Sequence, residues 1–355
     1  MTAILAIETS CDETAAAVII DGLTIKSNIV ASQIDLHAQF GGVFPELASR
    51  AHAESISAVA EQAMTEAELT YADLDAIAVT QGPGLVGSLL VGINFAKGLA
   101  LATGLPLLGI NHLEGHVYSL WLAPDFVEVE FPVLVLIVSG GHSELLIMCA
   151  HGLYQRIGGT IDDAAGEAFD KVGRTLGLPF PGGPAIEGAA RTGAIEAFDF
   201  PRAKTDGAYD LSFSGLKTAV MRAATIKPSG RRRGKLEGRA EKRAPLRDDV
   251  NINDVAAAFQ NAVTDALVTS ACRAARDFQV NAVYLSGGVS ANQMLREKLQ
   301  AKLNLPVCFP PVSLCTDNAA MIGAAAHFRY RAGHRSPLDF EARANWRLSE
   351  HVYAN

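Results

Sequence analysis

What most constrains this chain is that one plan of elements runs through it twice. The first pass opens with an apolar run at residues 4–7, a polar turn Glu8-Thr9-Ser10-Cys11-Asp12-Glu13-Thr14 and a second apolar run at 15–20. Asp21-Gly22 is the dipeptide of a type I′ hairpin, in which both central residues need positive φ, and it leads into a third run at 24–31. Three strands in a meander are therefore expected. A helix follows over residues 46–69, where Ile56, Val59, Ala60, Ala63, Met64 and Ala67 keep helical spacing. Then come a buried strand at 75–80, the loop Gln81-Gly82-Pro83-Gly84-Leu85, a helix to about residue 103, a strand at 106–110 and a helix carrying His112.

The second pass starts at residues 133–138, a strand, with Ser139-Gly140-Gly141-His142-Ser143 as a glycine turn, 144–149 as the returning strand and 153–157 as the third. A helix is expected at 163–176. After a loop-rich region, Val255, Ala258, Phe259, Ala262, Val263, Ala266 and Leu267 mark an amphipathic helix over 254–278. A strand at 282–285 ends in Ser286-Gly287-Gly288-Val289-Ser290-Ala291-Asn292, which opens a helix to about residue 303. A strand at 306–309 and a last helix over 317–330 complete the pass.

Two copies of one plan imply an α/β protein with two similar domains facing across a cleft. The glycine turns, taken as occupying equivalent places in the two copies, would line that cleft, because ligands of α/β sheets collect beyond the carboxyl ends of strands. A chain of 355 residues also fits two domains, at roughly 100–200 residues each. Residues 1–132 plus 318–355 are assigned to the first and 133–317 to the second, with a basic inserted loop at 227–247. That loop holds nine Lys/Arg against Glu237 and Glu241, a local +7 within a chain of net charge −8. Its Gly, Pro and charge resist packing, and it reads as a solvated loop or as a phosphate-backbone contact patch.

Five cysteines, Cys11, Cys149, Cys272, Cys308 and Cys315, are scattered and never spaced as C-x-x-C, the pattern of free thiols in a reducing compartment. The first residues carry no basic segment of a signal peptide. The longest apolar stretch, 85–110, is interrupted by Asn94, Lys97 and glycines, where a bilayer span wants ~20 nearly uncharged residues. A cytoplasmic protein without a membrane partner is expected.

Chemistry is suggested at Ile110-Asn111-His112-Leu113-Glu114-Gly115-His116-Val117-Tyr118. Residues four apart on a helix sit about 40° from each other, so His112 and His116 would offer two imidazoles to one point, while Glu114 projects roughly 200° away from His112. This differs from the His-Glu-x-x-His helix, whose glutamate adjoins the first histidine. Asp317, in Thr316-Asp317-Asn318, is the best third ligand. Two imidazoles and a carboxylate leave coordination positions open, which suits iron(II) or zinc. Surface or core histidines and a helix-capping aspartate are the plainer alternatives.

A second set points to a nucleotide. Ser139-Gly140-Gly141 and Ser286-Gly287-Gly288 each follow a strand, and glycine lets backbone N–H groups approach a phosphate with no Cβ in the way. Phe169-Asp170-Lys171 could accept ribose hydroxyls, and Pro181-Gly182-Gly183-Pro184 could wall the sugar as a rigid turn. Asn292 could reach a base or cap its helix.

Six ordered motifs together resemble the TsaD family, the tRNA N6-adenosine threonylcarbamoyltransferases once labelled sialoglycoprotein endopeptidases. They are Ile-Glu-Thr-Ser-Cys-Asp-Glu-Thr at 7–14, Asn-His-Leu-Glu-Gly-His at 111–116, Val-Ser-Gly-Gly-His at 138–142, Asp-Asp-Ala-Ala-Gly-Glu-Ala-Phe-Asp-Lys at 162–171, Phe-Ser-Gly-Leu-Lys at 213–217 and Ser-Gly-Gly-Val-Ser-Ala-Asn at 286–292. The resemblance spans about residues 3–330 and excepts the basic stretch. It implies a duplicated actin/Hsp70/sugar-kinase (ASKHA) fold with two lobes around a nucleotide cleft. It also implies one divalent metal, iron(II) first and zinc as the alternative, on His112, His116 and Asp317. Ile137, Val138, Ser139, Gly140, Gly141, Asp170, Gly183 and Asn292 would bind the threonylcarbamoyl-AMP or nucleotide. Glu187 stands where the family often has Asp.

The implied reaction moves the threonylcarbamoyl group to N6 of adenosine 37 in tRNAs reading codons that begin with A, releasing AMP. TsaB-like and TsaE-like proteins are the implied partners beside tRNA. Asp12 and Glu13 are the candidates for taking the proton from the amine. A metalloprotease and a nucleotide-dependent scaffold or chaperone of the same fold are the rival functions, with a sugar kinase behind them.

Overall fold

The computed structural model describes residues 1–226 and 245–350. In chain order the elements are β1 (Ala3–Glu8), β2 (Glu13–Ile20), β3 (Thr24–Ser32), α1 (Ile34–Ala38), α2 (Pro45–Ala67), β4 (Ala76–Gly82), α3 (Val86–Thr103), β5 (Leu107–Asn111) and α4 (His112–Tyr118). There follow β6 (Val133–Val138), β7 (Ser143–Ala150), β8 (Leu153–Gly159), α5 (Ala165–Leu176), α6 (Gly182–Ala190), α7 (Ser214–Ala224), α8 (Ile252–Asp277), β9 (Val283–Ser286), α9 (Gln293–Lys302), β10 (Val307–Cys308) and α10 (Ala319–Arg331).

Two five-stranded sheets share one topology. The first runs β3-β2-β1-β4-β5 and the second β8-β7-β6-β9-β10. In each, the meander pairs antiparallel and the two later strands add in parallel. Asp21 and Gly22 both have positive φ, 52° and 72°, as a type I′ turn requires.

The apolar runs fold as central strands because both of their faces are covered. In β6, Leu134, Leu136 and Val138 face a core with α5 and α8, whereas Val133, Val135 and Ile137 face a second core. That second core also receives Ile4, Ala6, Ala17 and Ile19 from the first sheet, with α4 and α10 contributing to the same cluster. The core is therefore continuous from one sheet to the other, and α4 and α10 belong to it. Every residue of α4 is buried.

Helix α3 is long and apolar enough to cross a bilayer. Here Leu89, Ile93, Ala96 and Ala100 pack with Ile7, Ile77 and Val79 of the first sheet, and Lys97 Nζ donates to Phe340 O at 2.6 Å.

Several sequence expectations need correction. The two glycine turns are not equivalent copies in opposite lobes: β6 and β9 are parallel neighbours, with Ile137 opposite Ser286, so both turns leave the same sheet side by side. Pro181-Gly182-Gly183-Pro184 is not a free turn but the start of α6, where proline and glycine in a first turn interrupt no helical hydrogen bond. Helix α7 lies in the stretch read as loop-rich. Its N-terminus is capped from a distance by Asp162 Oδ1, which accepts from Phe213 N at 2.8 Å. Of the basic stretch 227–247, residues 227–244 lie outside the described residues. Leu246, near its far end, bridges to Thr225, two residues before the stretch begins.

Candidate metal and nucleotide site

Asn111 ends β5 and caps α4, its side-chain oxygen accepting from Leu113 N and Glu114 N. The cap starts the helix at His112, and the four-residue spacing sets the rings of His112 and His116 edge to face with centroids 4.7 Å apart. Asp317 precedes α10. Capping there falls to Asn318, which accepts from Met321 N at 3.1 Å, so the capping alternative for Asp317 does not hold. Its Oδ1 lies 3.4 Å from His112 Nε2 and 3.1 Å from His116 Nε2. The three candidate ligand atoms fall within 4.8 Å of one another.

Charge and burial suit a cation at this point. Burial alone would lower His112, but Asp317 and Glu8 outweigh it and hold the imidazole well above its ordinary value. Burial would raise Asp317, yet His112 and His116 keep it well below the usual carboxylate range. His116 is fully buried; its Nε2 faces Asp317, and its Nδ1 has no hydrogen-bond partner among the described residues. Burying an imidazole with one nitrogen unpaired is costly, and a metal bond to Nε2 would replace its ordinary hydrogen bond. The donor set fits a divalent transition ion.

Glu114 is turned away, as its helical angle requires. It is fully buried and paired with Arg329 of α10, Nη2 to Oε2 being 2.6 Å. A carboxylate held this way cannot serve as the base of a metalloprotease.

Beside the triad opens a cavity of about 530 Å³, within the usual ligand range of about 300–1,000 Å³. Ser10, Cys11, Asp12 and Glu13 line it from the first sheet, His112 and Asp317 from the candidate metal group, and Ser139, Gly140, Gly141, His142, Asp170, Gly183, Glu187, Gly288 and Asn292 from the second sheet and its helices. His116 stands behind. Ile137 and Val138 are fully buried core residues that carry the turn and do not reach the wall. A Cβ built on Gly140, Gly141, Gly183 or Gly288 would meet nothing within 4 Å. These four glycines leave room in front of the backbone, as a ligand held by N–H groups needs.

Asp170 accepts from Gly182 N at 2.7 Å, and burial raises its carboxyl above the ordinary value. Asn292 is a working N-cap: its oxygen accepts from Leu295 N at 3.0 Å, and its amide donates to Gln260 Oε1 at 3.0 Å. Glu187 accepts from Gln293 N at 2.9 Å. Burial pushes Glu13 up to about 8; one carboxylate oxygen accepts from Ser32 Oγ and the other is buried without a partner. Burial also raises Asp12.

Two residues of the site carry no role in the sequence reading. His142, on the cavity wall, is pushed down to about 4 by burial and by the two neighbouring histidines, so it is neutral at pH 7. Glu8 is fully buried beside His112. The available signal was a lone acidic residue closing an otherwise apolar strand.

This architecture, two sheets of one topology beside a cleft, is that of the ASKHA class. Among solved structures, HypF of T. kodakarensis superposes with a TM-score of 0.60 at 15% identity, over 94% of this chain and 48% of that one. Component A of the Acidaminococcus fermentans (R)-2-hydroxyglutaryl-CoA dehydratase gives 0.52 at 15%, over 93% and 98%. At the level of sequence, the family profile for TsaD, tRNA N6-adenosine threonylcarbamoyltransferase, matches residues 24–324. The enzyme of that name from Thermomicrobium roseum is 51% identical over 96% of both chains, and that from Geobacillus kaustophilus 50% identical over 96% of this chain and 95% of its own. The chain belongs to the TsaD family of tRNA N6-adenosine threonylcarbamoyltransferases.

Proposed function

We propose that the protein transfers the threonylcarbamoyl group of threonylcarbamoyl-AMP to N6 of adenosine 37 in tRNAs reading codons that begin with A. The observation that carries this reading is that His112 and Asp317 of a cation-seeking triad and four open glycines face one cavity. A donor with an anionic phosphate at one end and a polar amino-acid group at the other can be gripped at both.

In the reaction a C–N bond forms between N6 and the carbamoyl carbon. The C–O bond to phosphate breaks, and AMP leaves with the electron pair. An aromatic amine is a weak nucleophile, so holding it against the donor supplies much of the rate. In this reading the N–H groups at Gly140, Gly141 and Gly288 hold the phosphate and stabilise its charge as it departs; the open space in front of these glycines supports it. Asp170, Gly183, Glu187 and Asn292 shape the wall for the nucleoside. Glu13, with its unpartnered oxygen, takes the amine proton; burial keeps that carboxyl's affinity for a proton high, and Asp12 beside it adds to the effect. His112, His116 and Asp317 would hold iron(II) or zinc, which when bound supplies a Lewis-acidic charge. TsaB-like and TsaE-like proteins are the proposed partners, in the cytoplasm.

Purified protein, partner proteins, adenylate and unmodified tRNA transcript should yield threonylcarbamoyladenosine on nucleoside analysis, and His112→Ala should abolish it. Failure of the complete metal-loaded mixture to modify any tRNA would overturn the reading. Nucleotide binding with domain closure alone would favour the scaffold.

A further inference from the structure

We propose that Glu8 is the positioning residue of the metal centre: it holds His112 as the tautomer with hydrogen on Nδ1, so that the lone pair of Nε2 faces the cation. The sheet brings this pair together. β1, β4 and β5 are parallel neighbours, so Glu8 at the end of β1, Thr80 near the end of β4 and His112 just past β5 arrive side by side. Glu8 Oε2 lies 3.0 Å from His112 Nδ1 and accepts from Thr80 Oγ1 at 2.6 Å, while Oε1 accepts from Ser10 N.

The carboxylate is fully buried, and a buried carboxylate persists only where donors surround it. It accepts and cannot donate, so Nδ1 must carry the hydrogen. Ser10 Oγ, 3.1 Å from the same nitrogen, could by itself support either tautomer; Glu8 decides between them. His116 has no equivalent partner on Nδ1 among the described residues. The orientation of the pair therefore rests on one side. Metal-binding histidines commonly donate their other nitrogen to a carboxylate in this way.

The proposal rests on reading the triad as a cation site. Cobalt(II) binding to the full chain tests both, by calorimetry and by the visible absorption of the bound ion. In Glu8→Gln the amide nitrogen must face either His112 Nδ1–H or Ser10 N–H, two donors against each other. Affinity should fall about 10–100-fold, with altered absorption bands and an unchanged circular dichroism spectrum. Glu8→Asp keeps the charge but withdraws the acceptor, and it should lose affinity as Gln does. Retention by Asp alone would mean that only charge matters and would overturn the positioning role, as would wild-type affinity and bands in Glu8→Gln. Should Glu8→Gln not fold, Thr80→Val removes a second donor to the same oxygen and should cost about tenfold in affinity; wild-type affinity there also overturns the role. If the wild-type protein itself binds no cobalt, the cation reading fails, an outcome distinct from failure of Glu8.

Discussion

At Gly140 the backbone borders empty space. A Cβ there touches nothing within 4 Å, so Gly140→Ala should melt as the parent does. The methyl would stand where the phosphate approaches, and AMP affinity measured by calorimetry should fall about tenfold, or ~1.4 kcal/mol. Unaltered affinity would remove the phosphate from this turn. Glu13 makes a different prediction. Its carboxyl is raised to about 8 by burial, and a base works only when deprotonated. Single-turnover transfer should therefore rise with pH to a plateau, with a midpoint near about 8, and Glu13→Gln should lose that limb. A variant retaining the same pH profile would exclude Glu13 as the base. Both residues stood out in the sequence as members of turns. Glu8 heads the same polar turn as Glu13, but its role was not legible, because nothing local tells that glutamate that an imidazole a hundred residues on will lie against it.

Helices α4 and α10 form the unit that holds the triad, and Glu114–Arg329 ties them on the side away from the cavity. The glutamate is fully buried, and its carboxyl is raised by burial against the opposing pull of Arg329. Arg329→Met strands that charge and should cost about 3–5 kcal/mol in urea unfolding. Adding Glu114→Leu should recover most of the loss, since a buried ion pair exchanged for apolar groups is often neutral. A single variant as stable as the parent would mean that the pair does not lock these helices. The elements themselves were largely legible. α2 and α8 follow from periodicity, because amphipathic spacing is a property of the segment alone, and the central strands from continuous apolar runs. α7 was missed because its cap, Asp162, is some fifty residues away, and α6 because proline and glycine at a helix start read as a turn.

Across the molecule, the candidate ligands come from positions about two hundred residues apart, His112 and His116 after β5 and Asp317 before α10. An ion that joins them should stabilise the fold as a whole. With free cation at 100 times its dissociation constant the gain is about 2.7 kcal/mol, seen as a rise of several degrees in melting temperature that a chelator reverses. His112→Ala should show no such rise; an equal rise in that variant would place the ion elsewhere. The repeated order of strands, turns and helices was determined by the sequence alone, since apolar runs, helical spacing and turn dipeptides act over a few residues. The tertiary structure alone decided that both glycine turns leave one sheet and that Glu8 meets His112. Both depend on which strands become parallel neighbours through a crossover. That choice is made by burial summed over the whole core, and no short stretch of chain records it.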